Sequence, residues 1–354
     1  TPHLTKMEPE EVEINMDDLI HNEGLLINIT NNGFNKRTAA SSFRAQSRGG
    51  KGVIGRTTRE GSTAEDEGDF VEHLFTATTH DFLMFFTASG RTYVEKVYEI
   101  PEMSRSSKGR SIVNLLELRA GEKIAATIRI QAKRSGTGAN KGDETWDENL
   151  HIVFATRSGI IKKSNLSTFS NVRKGGIIAI QIEEDDCLID VVLTDGDNEI
   201  VLITSDGMSL RFHEDQLRDQ GRNTVGVWGI RPRKGDHVIA NAIVRSDHML
   251  LVAGENGIGK RTPFDDYRKQ KRGGKGIITM KTGDKTGRVV GALTVTEVEQ
   301  LMLITNKGQR ARTRVSENRA RAPNPAGVRS VTPGTGTNRP RLARAAPRTG
   351  AEPP

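Results

Sequence analysis

Short apolar runs, each followed by a turn that ends in glycine, recur six times along the chain. They are Leu25–Thr30 before Gly33, Phe82–Thr87 before Gly90, Ile152–Thr156 before Gly159, Val201–Thr204 before Gly207, Met249–Ala253 before Gly257 and Leu301–Thr305 before Gly308. Runs of four to six residues bounded by turn signals have the length of strands rather than helices. The dipeptides Asn32-Gly33, Asp206-Gly207 and Asn256-Gly257 are hairpin signals, because a two-residue hairpin turn needs residues that accept positive φ. Further apolar runs such as Leu188–Leu193 and Val289–Leu293 supply additional strands. No comparable stretch has helical periodicity; Ser316–Arg321 is too short and too polar. The pattern predicts an all-β chain.

The repeats keep register well beyond the turn. The turn glycines are 57, 69, 48, 50 and 51 residues apart, the long interval holding an insertion around Ser135–Leu150 that is rich in Gly and acids. Three residues before the glycine, five of the six repeats have Thr. Four residues after it stand Arg37, Val94, Lys163, Arg211, Arg261 and Arg312; fifteen after it stand Arg48, Arg105, Lys174, Arg222, Arg272 and Pro323. Nineteen after it stand Gly52, Gly109, Ile178, Gly226, Gly276 and Gly327. Short strands and turns at a period of about 50 residues argue for radially or serially stacked β-blades.

Composition fits that picture. Of 354 residues only 34% are hydrophobic and 5% aromatic, enough for a core divided among many small sheets. No apolar run approaches the ~18 residues of a membrane helix, and no charged-then-apolar signal peptide opens the chain. The single cysteine, Cys187, cannot form an internal disulfide, which points to a reducing compartment.

The net charge of +7 suggests a polyanionic partner. It is unevenly placed. Residues 1–24 carry seven acids and one Lys and read as an acidic linker, whereas 318–354 carry seven Arg, one acid and seven of the twelve Pro. The body is therefore placed at 25–330, with 331–354 expected to be a disordered Arg/Pro-rich tail.

Two segments combine glycines with cations at one repeat register: Gln46-Ser47-Arg48-Gly49-Gly50-Lys51-Gly52 and Gln270-Lys271-Arg272-Gly273-Gly274-Lys275-Gly276. Glycines let a backbone approach a phosphate closely, and Arg and Lys supply charge. Nothing in them is shaped to read base edges, so the expectation is salt-sensitive, sequence-tolerant nucleic-acid binding. Lower-ranked cations of the same track are Lys36, Arg37, Arg105, Lys108, Lys162, Lys163, Arg173, Lys174, Arg211, Arg222, Lys260, Arg261, Arg312 and Arg314.

Other motifs read as structural. Gly254–Lys260 matches G-x-x-x-x-G-K, but Arg261 replaces the Ser/Thr of a P-loop and the stretch lies in a hairpin. The eight His have no ligand spacing, so no metal site is expected. Tyr93, Tyr98 and Tyr267 read as packing residues and Cys187 as a core or edge residue.

The segment Gln46–Gly52 resembles the seven-residue box of the C-terminal domain of bacterial DNA gyrase A, and the repeats resemble that family over roughly residues 17–330. The resemblance implies a six-bladed β-pinwheel, a propeller-like disc whose blades exchange strands, with duplex DNA wrapped around a basic rim. It implies a non-catalytic domain of an ATP-dependent type II topoisomerase. ATP and Mg would bind elsewhere in a holoenzyme, a heterotetramer formed with the rest of gyrase A and with gyrase B. It implies a monomeric isolated domain, no membrane, and a bacterial cytoplasmic, nucleoid-associated location.

Ser47 departs from the family's usual basic residue, Pro323 and Pro325 interrupt the sixth repeat, and the tail is basic where the family's is usually acidic. The intact box at Gln46–Gly52 favours this family over the related C-terminal domain of topoisomerase IV. Recurrent Arg and Lys favour it over a propeller used as a protein-interaction scaffold.

Overall fold

Each apolar run is the central strand of a small antiparallel sheet. The computed structural model describes residues 20–30, 33–39, 71–104, 107–131, 133–134, 144–305, 310–315, 328–329 and 340–344. In the third repeat the hairpin His151–Thr156/Ile160–Asn165 is flanked on one side by Leu188–Thr194 and on the other by Val227–Trp228. The last strand comes from the following repeat. The same order holds for Glu199–Thr204/Met208–His213, with Val238–Ile243 inside and Ile277–Ile278 outside, and for three further sheets. Every outer strand is thus exchanged from the next repeat.

The turns explain the recurrent Thr. Its hydroxyl accepts the N–H of the residue four further on: Phe34 to Thr30 and Arg91 to Thr87 at 3.1 Å, Ile160 to Thr156 and Met208 to Thr204 at 3.2 Å. The glycine one residue earlier serves the exchange. Gly207 sits at φ +79°, and a Cβ there would lie 2.0 Å from the carbonyl oxygen of Met280. With no side chain in the way, the Gly207 carbonyl accepts the N–H groups of Thr279 and Met280, which fixes the strand arriving from the next repeat.

A second glycine marks the crossing itself. Gly226 and Gly276 lie over the carbonyls of Ile161 and Ser209, where a Cβ would fall at 2.6 and 2.4 Å. In the third repeat this role falls to Gly176, over Thr92, rather than to Ile178 as the expected spacing had it. The segment between its 3-10 turn, Leu166–Phe169, and the glycine is shorter than its counterparts.

The central strands are apolar at successive positions because both faces are buried. Met84 and Phe86 pack with Ile152 and Phe154 of the next blade, while Leu83 and Phe85 pack with Leu25 and Ile27 of the previous one. Val153 and Ala155 likewise meet Ile200 and Leu202, and Val201 and Ile203 meet Leu250 and Val252. Trp146, at the end of the long insertion, is buried against Phe82 with ring centroids 5.9 Å apart.

Inner strands follow one another round a ring: Ile124–Ile130, Leu188–Thr194, Val238–Ile243, Val289–Val295, Pro340–Arg344 and then Val71–Thr78. Arg129 closes the ring, joining Ile124–Ile130 to Val71–Thr78 by donating to the Thr76 carbonyl at 3.1 Å. The architecture is a β-propeller of pinwheel type.

Its blades are not equal. Five sheets have four strands; the sixth repeat forms a three-stranded sheet from Gln300–Thr305, Arg310–Arg314 and Pro340–Arg344. The expected six blades are therefore five full ones and a smaller sheet among the described residues. Pro340–Arg344 also corrects the tail expected over 331–354, since this stretch pairs with Leu301–Thr305. Proline is compatible with the first position of an edge strand, where its missing N–H costs little.

Candidate nucleic-acid interface

After the hairpins of the second to fifth repeats the chain makes a 3-10 turn and then crosses to the preceding blade. The fifth repeat shows the crossing in most detail. Past the turn Phe264–Asp266, the N–H of Gln270 donates to the Arg211 carbonyl on the neighbouring blade at 2.8 Å. The second box copy follows. The Arg272 N–H donates to Gln216 Oε1 at 3.0 Å, and its guanidinium reaches the carbonyls of Gln216 and Trp228 at 2.9 and 3.3 Å. The Gly273 N–H donates to the Gly229 carbonyl at 2.6 Å, and the Gly274 carbonyl accepts from the Arg231 N–H at 2.8 Å.

The box is therefore a strap between two exchanged strands, with Lys271 and Lys275 exposed on it. That corrects part of the sequence reading. The N–H groups of Arg272 and Gly273 and the Arg272 side chain are engaged within the fold, not held open for phosphate.

The cations four residues after the turn glycine have a structural reason as well. Arg211 is 8% exposed, pairs with Glu199, and donates to the carbonyls of Phe264 and Tyr267 in the next repeat's 3-10 turn. Lys163 is 7% exposed and does the same for the Glu214 carbonyl at 3.2 Å, with Glu214 Oε2 at 3.8 Å. Arg37 pairs with Glu102 at 3.4 Å and Arg261 with Glu297 at 2.6 Å.

One residue earlier the lysines cap the crossing strap. Lys36 Nζ donates to the Ser107 carbonyl at 2.9 Å, and Lys162 Nζ to Ala179 and Arg222 at 2.7 and 2.8 Å. Burial pushes the Lys162 ammonium down to about 8. Lys260 is also fully buried, at the end of the G-x-x-x-x-G-K stretch, on the strand Ile258–Pro263. Lys36, Lys162, Lys163, Lys260, Arg211 and Arg261 were expected on the rim; all six side chains are buried instead, and those of Lys36, Lys162, Lys163, Arg211 and Arg261 meet carbonyls or carboxylates.

Residues 26–77, 81–131, 150–195, 198–244 and 248–296 match the family described as the DNA gyrase C-terminal domain, beta-propeller, well over half of the chain. The chain belongs to the DNA gyrase C-terminal domain family. It is 38% identical over 327 residues to the DNA gyrase A protein of Mycolicibacterium smegmatis, covering 92% of this chain and 36% of that protein. It is 43% identical over 294 residues to the DNA gyrase A protein of Staphylococcus aureus, covering 82% and 31%. The chain thus spans about a third of the length of these relatives.

A solved DNA gyrase A C-terminal domain superposes with TM-score 0.69 at 23% identity, over 91% of this chain and 99% of that one. The C-terminal domain of DNA topoisomerase IV superposes with TM-score 0.72, also at 23%, over 92% and 94%. At that identity both show the shared fold; the family match and the relatives distinguish the gyrase lineage.

Within this gyrase-family domain one set of exposed cations lies on the crossing straps, while others, such as Arg157, Arg245, Lys281 and Lys285, lie elsewhere on the surface. Lys108, Arg173, Lys174, Arg222, Lys271 and Lys275 are exposed, and Lys108 also stands over the Phe34 ring at 4.3 Å. Arg173 and Arg222 help line a groove of about 670 Å³ with Thr168, Ser170 and Asn171.

Sequence reasoning missed Arg110, Arg218, Arg268 and Lys269 on the same straps, and Arg231, Arg233 and Lys234 just beyond one, all exposed. Reading the whole interval between turn and exchanged strand, rather than fixed offsets, would have found them. The first box copy, Gln46–Gly52, and Arg105 lie outside the described residues, as do the side chains of Arg312 and Arg314.

Tyr93 and Tyr267 are buried. The Tyr93 hydroxyl donates to Glu122 Oε2 at 2.7 Å, and that of Tyr267 lies 2.6 Å from Thr279 Oγ1. Cys187 is half-buried, and burial raises its thiol. No described helix is long and apolar enough to cross a membrane.

Proposed function

We propose that this chain is a non-catalytic domain that binds and wraps duplex DNA around the outer edge of the propeller. In the whole gyrase, assembled with the rest of gyrase A and with gyrase B, it presents a crossing segment for ATP-dependent negative supercoiling in the bacterial cytoplasm. The observation that carries the reading is the sorting of cations. Hairpin-strand cations such as Lys163, Arg211 and Arg261 are buried and paired with carboxylates, while strap cations such as Arg222, Lys271 and Lys275 face solvent.

A cation track distributed over several blades suits a bent polyanion. Bending 20–30 bp by 40–90° costs of order 1–6 kcal/mol, which repeated phosphate contacts offset. Gln46–Gly52 is proposed to be the dominant box, and Gln270–Gly276 the second.

Ligation of nicked circles in the presence of the chain tests wrapping: a linking-number shift at low salt is expected, and its absence sinks the reading. For the box, replacing Arg48, Gly49, Gly50 and Lys51 with Ala in the whole enzyme should abolish negative supercoiling and spare DNA cleavage. Because Arg272 also braces the fold, the second copy is tested through Lys271→Ala and Lys275→Ala. Loss of supercoiling there, with none at 48–51, would reverse the ranking.

A further inference from the structure

Five large apolar side chains are exposed among the described residues, and three share one position in the repeat: Ile178, Trp228 and Ile278, at 45, 41 and 39%. Each is the second residue of an exchanged strand, paired with the residue after a turn glycine: Ile178 with Arg91, Trp228 with Ile160 and Ile278 with Met208. The next residues, Ala179, Gly229 and Thr279, turn inward and are buried.

The fold does not require an apolar side chain at this place. On the first blade it is Ser111, opposite Phe34, and on the fifth Arg329, opposite Ile258. Surface position, lack of structural need and repetition on three successive blades together point to a ligand.

The surroundings indicate which ligand. Arg173 and Lys174 lie on the strap leading to Ile178, and Lys275 on that leading to Ile278. The Arg231 guanidinium stands 5.6 Å from the Trp228 ring, and Arg272 donates to the Trp228 carbonyl. Apolar spots set among cations complement a surface on which anions alternate with apolar carbon. Duplex DNA is such a surface, with deoxyribose faces between its phosphates.

We infer that Ile178, Trp228 and Ile278 form an apolar contact row against the deoxyribose faces of wrapped duplex DNA, interleaved with the phosphate-binding cations of the straps. The inference rests on the DNA-wrapping reading above. The row holds the duplex at short range by excluding water from the sugars, a contribution insensitive to salt, while the cations supply the salt-dependent part.

The test uses the 354-residue chain, a mixed-sequence linear duplex and inorganic polyphosphate. Of the two Trp, Trp146 is buried, so acrylamide quenching of the exposed fraction reports Trp228. DNA is expected to protect Trp228 and polyphosphate to leave it accessible. The variant Ile178→Ser/Trp228→Ser/Ile278→Ser should bind DNA about tenfold more weakly at an unchanged salt slope, with polyphosphate affinity retained. An unchanged far-UV circular dichroism spectrum and buried Trp146 fluorescence show that the variant is folded.

Trp228 remaining quenchable in the complex, or unchanged DNA affinity in the variant, overturns the inference while wild-type wrapping stands. So does a concentration-dependent dimer, seen by sedimentation, that the variant abolishes, since the row is then a self-contact. Failure of the wild-type chain to bind or wrap DNA would instead remove the reading beneath it.

Discussion

Arg211→Ala separates the two explanations for the recurrent cation four residues past each turn. The Arg211 side chain is buried, pairs with Glu199, and donates to the carbonyls of Phe264 and Tyr267, which belong to the next repeat. Removing one partner of a buried ion pair costs about 3–5 kcal/mol, because the other charge is left uncompensated. Glu199 retains Lys269, whose side chain is largely exposed, which places the electrostatic loss at the lower end. Two carbonyls also lose a charged donor, at about 1 kcal/mol each. The expected destabilisation is therefore about 5 kcal/mol.

Urea unfolding of the chain measures that loss, and the salt dependence of DNA affinity measures the alternative. If the role is to dock one blade on the next, the unfolding free energy drops and the slope of log affinity against log salt is unchanged. A phosphate contact would lower that slope by about 0.9. Stability preserved within about 0.5 kcal/mol, together with a reduced slope, would refute the docking argument for Arg211 and weaken it for Lys163.

Two further perturbations probe the packing. Gly207→Ala places a Cβ 2.0 Å from the Met280 carbonyl at a φ of +79°, whereas Gly221 has open space around it. The first substitution should cost more than about 3 kcal/mol in urea unfolding and the second less than about 0.5; equal effects would remove the case for glycine at the exchange. Asp190, on the inner strand Leu188–Thr194, accepts the N–H of Asn241 at 3.1 Å, and burial raises its carboxyl to about 6. Its folded-state value lies above the unfolded one, so the protonated form favours folding, and stability falls as pH rises from about 4 to about 6. Asp190→Asn should flatten that window in pH-dependent unfolding, and an unchanged profile would show that another group titrates there.

Much of the fold was legible because its signals are local. The turn glycines Gly33, Gly90, Gly159, Gly207 and Gly257, the Thr three residues before four of them and the apolar central strands each sit in a hairpin where the pattern placed them. The outer strands were not legible from pattern. Arg110–Ser111, Ile177–Ile178, Val227–Trp228 and Ile277–Ile278 are two residues long, too short for a periodic signal, and each belongs to a sheet whose hairpin lies a whole repeat earlier.

The candidate site was half legible for a related reason. A Lys that recurs to meet phosphate and a Lys that recurs to cap the next repeat's carbonyls leave the same trace in one sequence. Lys163 and Lys174 differ only in what lies opposite them. For Lys163 that is Glu214, 51 residues away, and for Lys174 it is solvent.

The straps join these two roles. Lys271 and Lys275 face outward from a segment whose backbone and Arg272 side chain are hydrogen-bonded to Gln216, Trp228, Gly229 and Arg231. The exchanged strand that follows, Ile277–Ile278, is paired to Met208–His213 of the fourth blade. Trp228 and Gly229 belong to the crossing that serves the third blade. A cation mounted on a hairpin would report the position of one blade. A cation mounted on this strap is held by two, so its place on the rim depends on the angle between them. On the wrapping reading, DNA curvature and blade angle would then be coupled through the strap. Loosening it with Arg272→Ala should weaken wrapping more than the loss of one phosphate contact accounts for, and that excess would appear as a smaller linking-number shift at saturating protein.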